Sequence, residues 1–285
     1  MRRLGFSLVL LGATATDAQA QFQCIPVRGG ALTQVWTEDN RCLPFHLSSR
    51  TRVLDGDDVE AIVLDSFAQW SDPGCTDLSL VYRGRTRQRV GFDPSSSDNQ
   101  NVVTAVEDES ELVGVFDDPR LIAITETTHA TETGEIFDAD IILNAARYRF
   151  EDVGSELTCR ARRDEVFDLK NTLVHEVGHF LGFDHTPDEG ATMFLSAPTC
   201  ETRKADLNAT DLDGLCQVYA SGRPSMTCSP PESYRLSSGD PMRYRRQCAR
   251  DDSGGCTSAG AEPAWLLLLS GLGFARIRRR RLSEK

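Results

Sequence analysis

From His175 to His185 the chain reads HEVGHFLGFDH, and this string constrains the local fold more tightly than any other stretch. His175 and His179 are four apart, so a helix places both on one face, one turn from each other. Two imidazoles so placed can reach a single Zn²⁺. Glu176 stands beside them, positioned to act on a water held there. Gly182 allows the helix to stop and the chain to turn through a conformation that other residues resist. His185 can then return as a third ligand. Three protein ligands leave a fourth position for water, which is the pattern of a catalytic rather than a structural zinc. The bland reading is a set of histidines satisfied in a core or on a solvated face. It is disfavoured because three of the chain's five histidines fall within these eleven residues.

The ends of the 285-residue chain read differently from its middle. Met1-Arg2-Arg3, an apolar run from Leu4 to about Ala15, and Ala18-Gln19-Ala20 form the pattern of a secretory signal peptide over residues 1–20. A mature start near Gln21 is expected. At the other end Cys256 precedes a short apolar stretch, Pro263 to Ala275, and an arginine block from Arg276 to Arg281. The apolar part is shorter than an ideal membrane span, and the arginines favour the cytoplasmic side. This tail, residues 256–285, resembles the C-terminal sorting tails of myxobacterial surface proteins. The resemblance implies transient membrane contact, removal of the tail and modification of Cys256. A plain C-terminal membrane anchor is the alternative.

Setting the ends aside sharpens the charge. The whole chain carries −12, the leader contributes +1 and the tail +4, so residues 21–255 carry −17. So acidic a body argues against nucleic acid as a partner and suits an exported protein that attracts cations. Eight cysteines lie between leader and tail: Cys24, Cys42, Cys75, Cys159, Cys200, Cys216, Cys228 and Cys248. An even set after a signal peptide reads as disulfides, whose connectivity sequence does not fix. Nearest-neighbour pairing gives Cys24–Cys42, Cys200–Cys216 and Cys228–Cys248 as expectations. No cysteine spacing suggests a structural zinc.

Between the ends the pattern alternates. Cys42–Leu47 reads as a strand. Asp57 and Asp58 offer a cap and an acidic first turn to a helix whose apolar positions are Val59, Ile62, Val63, Phe67 and Trp70. Further strands are expected over Asp77–Tyr82, Val102–Ala105, Leu121–Thr125 and Ala139–Leu143. Residues 93–101 read as a loop, and Thr131 to Gly134 as the turn between the last two strands. Asp168 can cap the helix Leu169–Phe180 that carries the histidines. Thr210 with Asp211 starts a last helix to Tyr219. Residues 221–255, rich in Ser, Pro, Gly and Arg, read as a linker or a disulfide loop.

These residues resemble the metzincin clan of zinc peptidases, and matrixins most closely. Met193, in Ala191-Thr192-Met193-Phe194, follows His185 by the distance at which matrixins carry their Met-turn, a methionine forming a hydrophobic floor under the zinc ligands. The order of helix, sheet, Phe137-Asp138-Ala139-Asp140 segment, zinc helix, Met-turn and final helix also follows that family over roughly residues 40–220. The implied catalytic domain spans residues 21–220. Its implied fold is α+β, an α/β metzincin-like arrangement. A twisted, mostly parallel mixed sheet carries a backing helix and the zinc helix, and a small C-terminal subdomain holds the Met-turn and last helix.

The resemblance implies catalytic zinc on His175, His179 and His185, with Glu176 as general base. It also implies a protein or peptide substrate lying extended along Leu121–Thr125, and a pocket shaped by the loop through Pro198 and Cys200. It admits calcium on Asp138 or Asp140. Two departures stand out. The cysteine switch of the matrixin pro-segment has no good counterpart, since Arg41-Cys42-Leu43-Pro44 lies too close to the first strand. Ile136 stands where animal matrixins carry a histidine of their second, structural zinc. His46 and His129 read as ordinary surface or structural residues. The function expected is a secreted or surface-anchored, monomeric zinc endopeptidase. Its rival is a zinc-containing surface protein for binding or adhesion, with little or no turnover, against which the presence of Glu176 argues.

Overall fold

The computed structural model describes residues 22–27, 32–37, 41–118, 120–163 and 165–221. The leader, the tail, all but the first residue of the 221–255 segment and the Cys228–Cys248 pair lie outside the described residues.

In chain order the elements are β1 (Gln23–Cys24), β2 (Cys42–Ser48), α1 (Asp57–Ser71), β3 (Ser79–Thr86), β4 (Val102–Val106), α2 (Glu109–Leu112), β5 (Ala123–His129) and β6 (Ile136–Asn144). There follow β7 (Arg149–Glu151), α3 (Glu156–Arg162), β8 (Val166–Asp168), α4 (Leu169–Phe180), β9 (Phe183–Asp184) and α5 (Ala209–Val218). The main sheet has the order β3-β2-β4-β6-β5. Its first four strands run parallel, and β5 closes one edge antiparallel to β6, from Ala123 opposite Leu143 to His129 opposite Ile136. The chain therefore forms the mostly parallel mixed α/β sheet that the resemblance implies.

Strand periodicity sorts the side chains into two layers. Leu43, Phe45 and Leu47 of β2, with Ile141 and Leu143 of β6, join the larger core beneath α1 and α4. Ile142 and Ile124 point the other way and pack with Val106, Leu112, Phe116 and Leu121. In α1 the expected stripe holds: Val63, Phe67 and Trp70 are buried, with Phe67 stacked on Phe45 at 3.7 Å between ring centroids. Trp70 Nε1 donates to the Val174 carbonyl of α4 at 2.8 Å, and Trp36 Nε1 to that of Phe180 at 2.8 Å. Both indoles thus bury their rings while their one polar atom stays satisfied.

Several expectations need correction. The N-cap of α1 is Gly56, at φ 104°, and no side chain caps the helix. Asp57 and Asp58 occupy its acidic first turn, where they complement the helix dipole. The last helix is capped by Asn208 rather than begun at Thr210, and Asp211 completes a reciprocal capping box. Leu121 and Ile122 precede the edge strand, which runs on to His129. Cys200 pairs with Cys159, and Cys216 with Cys75, so Cys200–Cys216 is wrong. The unforeseen α3 carries Cys159 to the loop after Met193. The chain around Cys216 is drawn instead to the turn after α1, where Ser221 N donates to the Cys75 carbonyl at 2.7 Å. Cys24 and Cys42 are each disulfide-bonded.

Candidate active site

Helix α4 begins where Asp168 accepts the Asn171 amide at 2.7 Å, and the other Asp168 oxygen accepts Val153 N at 2.9 Å. From Asn171 to Phe180 every residue is buried. The helix ends at Leu181, and Gly182 turns the chain at φ 91°. A side chain there would meet strain and the Gln34 carbonyl, since its Cβ would lie 2.4 Å from that oxygen. Beyond the turn β9 pairs with β1, Gln23 opposite Asp184, which fixes the segment delivering His185.

The three imidazoles converge. Their Nε2 atoms lie 3.0 Å (His175–His179), 3.3 Å (His175–His185) and 3.2 Å (His179–His185) apart. His175 Nδ1 is 2.6 Å from the Thr192 carbonyl, and His179 Nδ1 is 2.7 Å from that of Phe183. A carbonyl only accepts, so each Nδ1 carries the proton and each Nε2 presents a lone pair. Two lone pairs at 3.0 Å repel unless a cation lies between them. Nitrogens each ~2.0–2.1 Å from a tetrahedral ion stand about 3.3 Å apart, so these residues fit zinc. Burial first, then the neighbouring His175 and His185, holds the His179 imidazole well below its ordinary pKa, which favours the neutral ligand form. Among the described residues this is the one group of three or more His, Cys, Asp or Glu donors close enough to share an ion.

Glu176 is fully buried beside the histidines. Thr125 of the edge strand β5 places its hydroxyl 2.6 Å from Glu176 Oε2 and 3.1 Å from the Glu176 carbonyl. Met193 lies against the zinc helix where the family resemblance puts it. A Cβ on Gly178 would fall 2.1 Å from its Sδ, so only glycine leaves room for that methionine. The turn around Met193 is held from both sides. Thr186 N donates to the Met193 carbonyl at 2.9 Å, and the Asp211 carboxylate accepts Thr192 N at 2.8 Å and Met193 N at 3.1 Å.

The loop after Met193 is clamped to the segment carrying α3. Besides the Cys159–Cys200 disulfide, Cys200 N donates to the Val166 carbonyl at 2.9 Å, and Thr202 N to Glu156 Oε1 at 2.9 Å. The chain then returns to α4, where Lys204 N donates to Asn171 Oδ1 at 2.6 Å and buried Lys204 Nζ donates to the Phe194 carbonyl.

Asp138 and Asp140 lie apart from the histidines, on β6. Asp140 Oδ1 accepts Val102 N at 2.8 Å and Oδ2 accepts Gly91 N at 2.5 Å. That carboxylate anchors the loop before β4, and the two aspartates belong to no group of three metal donors among the described residues. Ile136 is buried in the core. His46 and His129, half-buried on β2 and β5, stand outside the three-histidine cluster, and burial lowers both of their pKa values. The roles of Thr125 and Asp211 were not legible in the sequence. Asp211 left one signal, its place three residues after Asn208 at a helix start.

The matrixin family model matches residues 35–220. A soybean (Glycine max) protein, metalloendoproteinase 1, is 45% identical over 53 residues, covering 19% of this chain and 17% of that protein. Human neutrophil collagenase is 24% identical over 185 residues, 65% of this chain and 33% of that protein. Human matrix metalloproteinase-27 is 35% identical over 66 residues, 23% of this chain and 13% of that protein. The chain thus spans a third or less of the length of these relatives.

Proposed function

This chain belongs to the matrixin family of peptidases, and on that premise we propose that it is an exported zinc endopeptidase that cleaves protein or peptide substrates. The observation that carries the reading is the convergence of three Nε2 atoms at 3.0–3.3 Å, beside a buried glutamate. His175, His179 and His185 hold the ion. Zinc supplies polarisation of the scissile carbonyl and lowers the pKa of water toward ~7. Glu176 takes the proton from the attacking water and delivers it to the leaving amine, so no covalent intermediate forms. The edge strand β5 aligns an extended peptide by backbone hydrogen bonds. The clamped loop from Phe194 to Glu201 walls the pocket for the residue after the cut. The names of the relatives, metalloendoproteinase and collagenase, support the reaction class.

The finer reading includes location. Residues 1–20 direct export, residues 21–220 form the catalytic domain, and residues 221–255 link it to the tail. The 256–285 tail makes transient membrane contact and leaves a monomeric enzyme secreted or at the cell surface. The test is cleavage of a peptide library by the purified exported protein, with chelator and Glu176→Ala as controls. Cleavage that survives both controls rejects the mechanism. Zinc-loaded protein that cuts nothing supports the binding or adhesion reading instead.

A further inference from the structure

We propose that Thr125 is a positioning residue that fixes the carboxylate of Glu176 through its hydroxyl; this rests on Glu176 acting as the base. Both residues are withdrawn from water, Thr125 at 1% exposure and Glu176 at 0%. The hydroxyl has a single proton and two acceptors within reach, Glu176 Oε2 at 2.6 Å and the Glu176 carbonyl at 3.1 Å. It cannot serve both. Good O–H···O hydrogen bonds fall at about 2.5–3.0 Å, and only the Oε2 contact lies in that range. The proton therefore points at the carboxylate, and the carbonyl is the weaker second contact.

The two side chains differ in freedom. Glutamate has three rotatable side-chain bonds, the last with a broad profile. Ordering such a chain costs rotamer entropy that a rigid partner helps to offset. Threonine has one such bond to its hydroxyl, restricted by β-branching. Its main chain is fixed in β5, paired opposite Ile141 of β6. The sheet thus sets the direction of the hydroxyl, and the hydroxyl sets the far end of the glutamate. Helix α4 alone fixes only the near end.

Thr125 also belongs to the strand along which the proposed substrate lies. One residue then couples the alignment of the peptide to the alignment of the base. A base displaced by a fraction of an ångström loses rate without losing binding, because proton transfer requires hydrogen-bond contact at the reacting water.

The experiment compares Thr125→Val, Thr125→Ser and Glu176→Ala in the zinc-loaded full chain. It reads kcat and KM on one peptide, bound zinc, thermal midpoint and the crystallographic rotamer of Glu176. Valine keeps the shape and removes the hydroxyl; serine keeps the hydroxyl. Thr125→Val should lower kcat by roughly 10- to 100-fold, less than the ~10²–10⁴-fold that outright loss of a general base costs. Its KM should stay within about twofold, since the ground-state contacts are untouched. Zinc content should stay at one, Glu176 should occupy more than one rotamer, and Thr125→Ser should recover most of the rate. Should the valine variant not fold, Thr125→Ala reads the same loss with less bulk. Full kcat in Thr125→Val, or a serine variant no better than valine, overturns the proposal. If Glu176→Ala keeps its rate, the base assignment itself fails, a different result from a Thr125 variant that is silent while Glu176→Ala is dead.

Discussion

Gly178 lies between the first two histidines of the zinc helix, and replacing it with alanine sets two effects against each other. An alanine inside a helix is favoured over glycine by about 1 kcal/mol. Against this, the added Cβ would stand 2.1 Å from Met193 Sδ, 2.9 Å from Trp70 Cζ2 and 3.0 Å from Met193 Cε. Carbon and sulfur pack comfortably at about 3.5–4 Å, so the sulfur must retreat by more than ~1 Å. It has little room. Met193 and Trp70 are buried, the indole is tethered to the Val174 carbonyl, and the Met193 amide is held by Asp211. Overfilling such a site costs about 1–3 kcal/mol. A clash as close as 2.1 Å puts the cost in the upper part of that range, about 2–3 kcal/mol, so the steric term wins and Gly178→Ala should lose about 1–2 kcal/mol net. Urea unfolding of the zinc-loaded protein measures this directly. Adding Met193→Ala removes Sδ and Cε, so the double variant should be more stable than the two single losses predict, by about 0.5–3 kcal/mol. A Gly178→Ala protein as stable as the parent, or two losses that simply add, would refute the argument that contact with Met193 dictates this glycine.

Removing the metal with a chelator should abolish peptide cleavage and lower the thermal midpoint, because three ligands are left with mutually facing lone pairs; zinc should restore both. Replacing Cys159 and Cys200 by alanine opens a loop closed over a sequence separation of 41 and should cost up to about 4 kcal/mol. The same change should broaden side-chain preference in a peptide library; an unchanged profile would show that the clamp does not shape the pocket. Burial pushes the Asp138 carboxyl up to about 7, opposed by its hydrogen bond with Asp140; burial and then Asp138 raise Asp140 well above the usual carboxylate range. Carboxyls whose pKa is raised by folding stabilise the native state fully below about pH 4, and that contribution fades as pH rises toward 7. Asp138→Asn should therefore flatten the fall in thermal midpoint over that interval, and a slope identical to the parent's would count against the assignment.

What the sequence disclosed depended on how local each cause was. The histidine spacing, the stop at Gly182 and the Asp168 cap are fixed within a few residues, and all three lie where the pattern placed them. Strands with long β-branched runs were legible, though their ends were not. Helix α3 was not. It is 7 residues long, buries Cys159 and leaves Leu157 81% exposed, so it has no apolar stripe to detect. So short a helix is sustained by its disulfide and its neighbours rather than by propensity. Because α3 is what brings Cys159 to Cys200, nearest-neighbour spacing points to the wrong partner. The resemblance places Thr125 on a substrate edge, which says nothing of which side chain it meets across the interface with α4. That contact depends on the register of β5 against β6 and on the docking of the helix, both tertiary facts.

Asp211 carries a consequence for how such a protein is made. The floor under the histidines hangs from a carboxylate on the last described helix, and the Cys75–Cys216 bond ties that helix back to the turn after α1. Chains emerge from the ribosome N-terminus first. A nascent chain that has just released His185 already owns its three imidazoles and its glutamate, yet its Met193 turn has no acceptor to hang from. Order of synthesis thus leaves the floor under the three histidines without its acceptor until the segment bearing Asp211 has emerged.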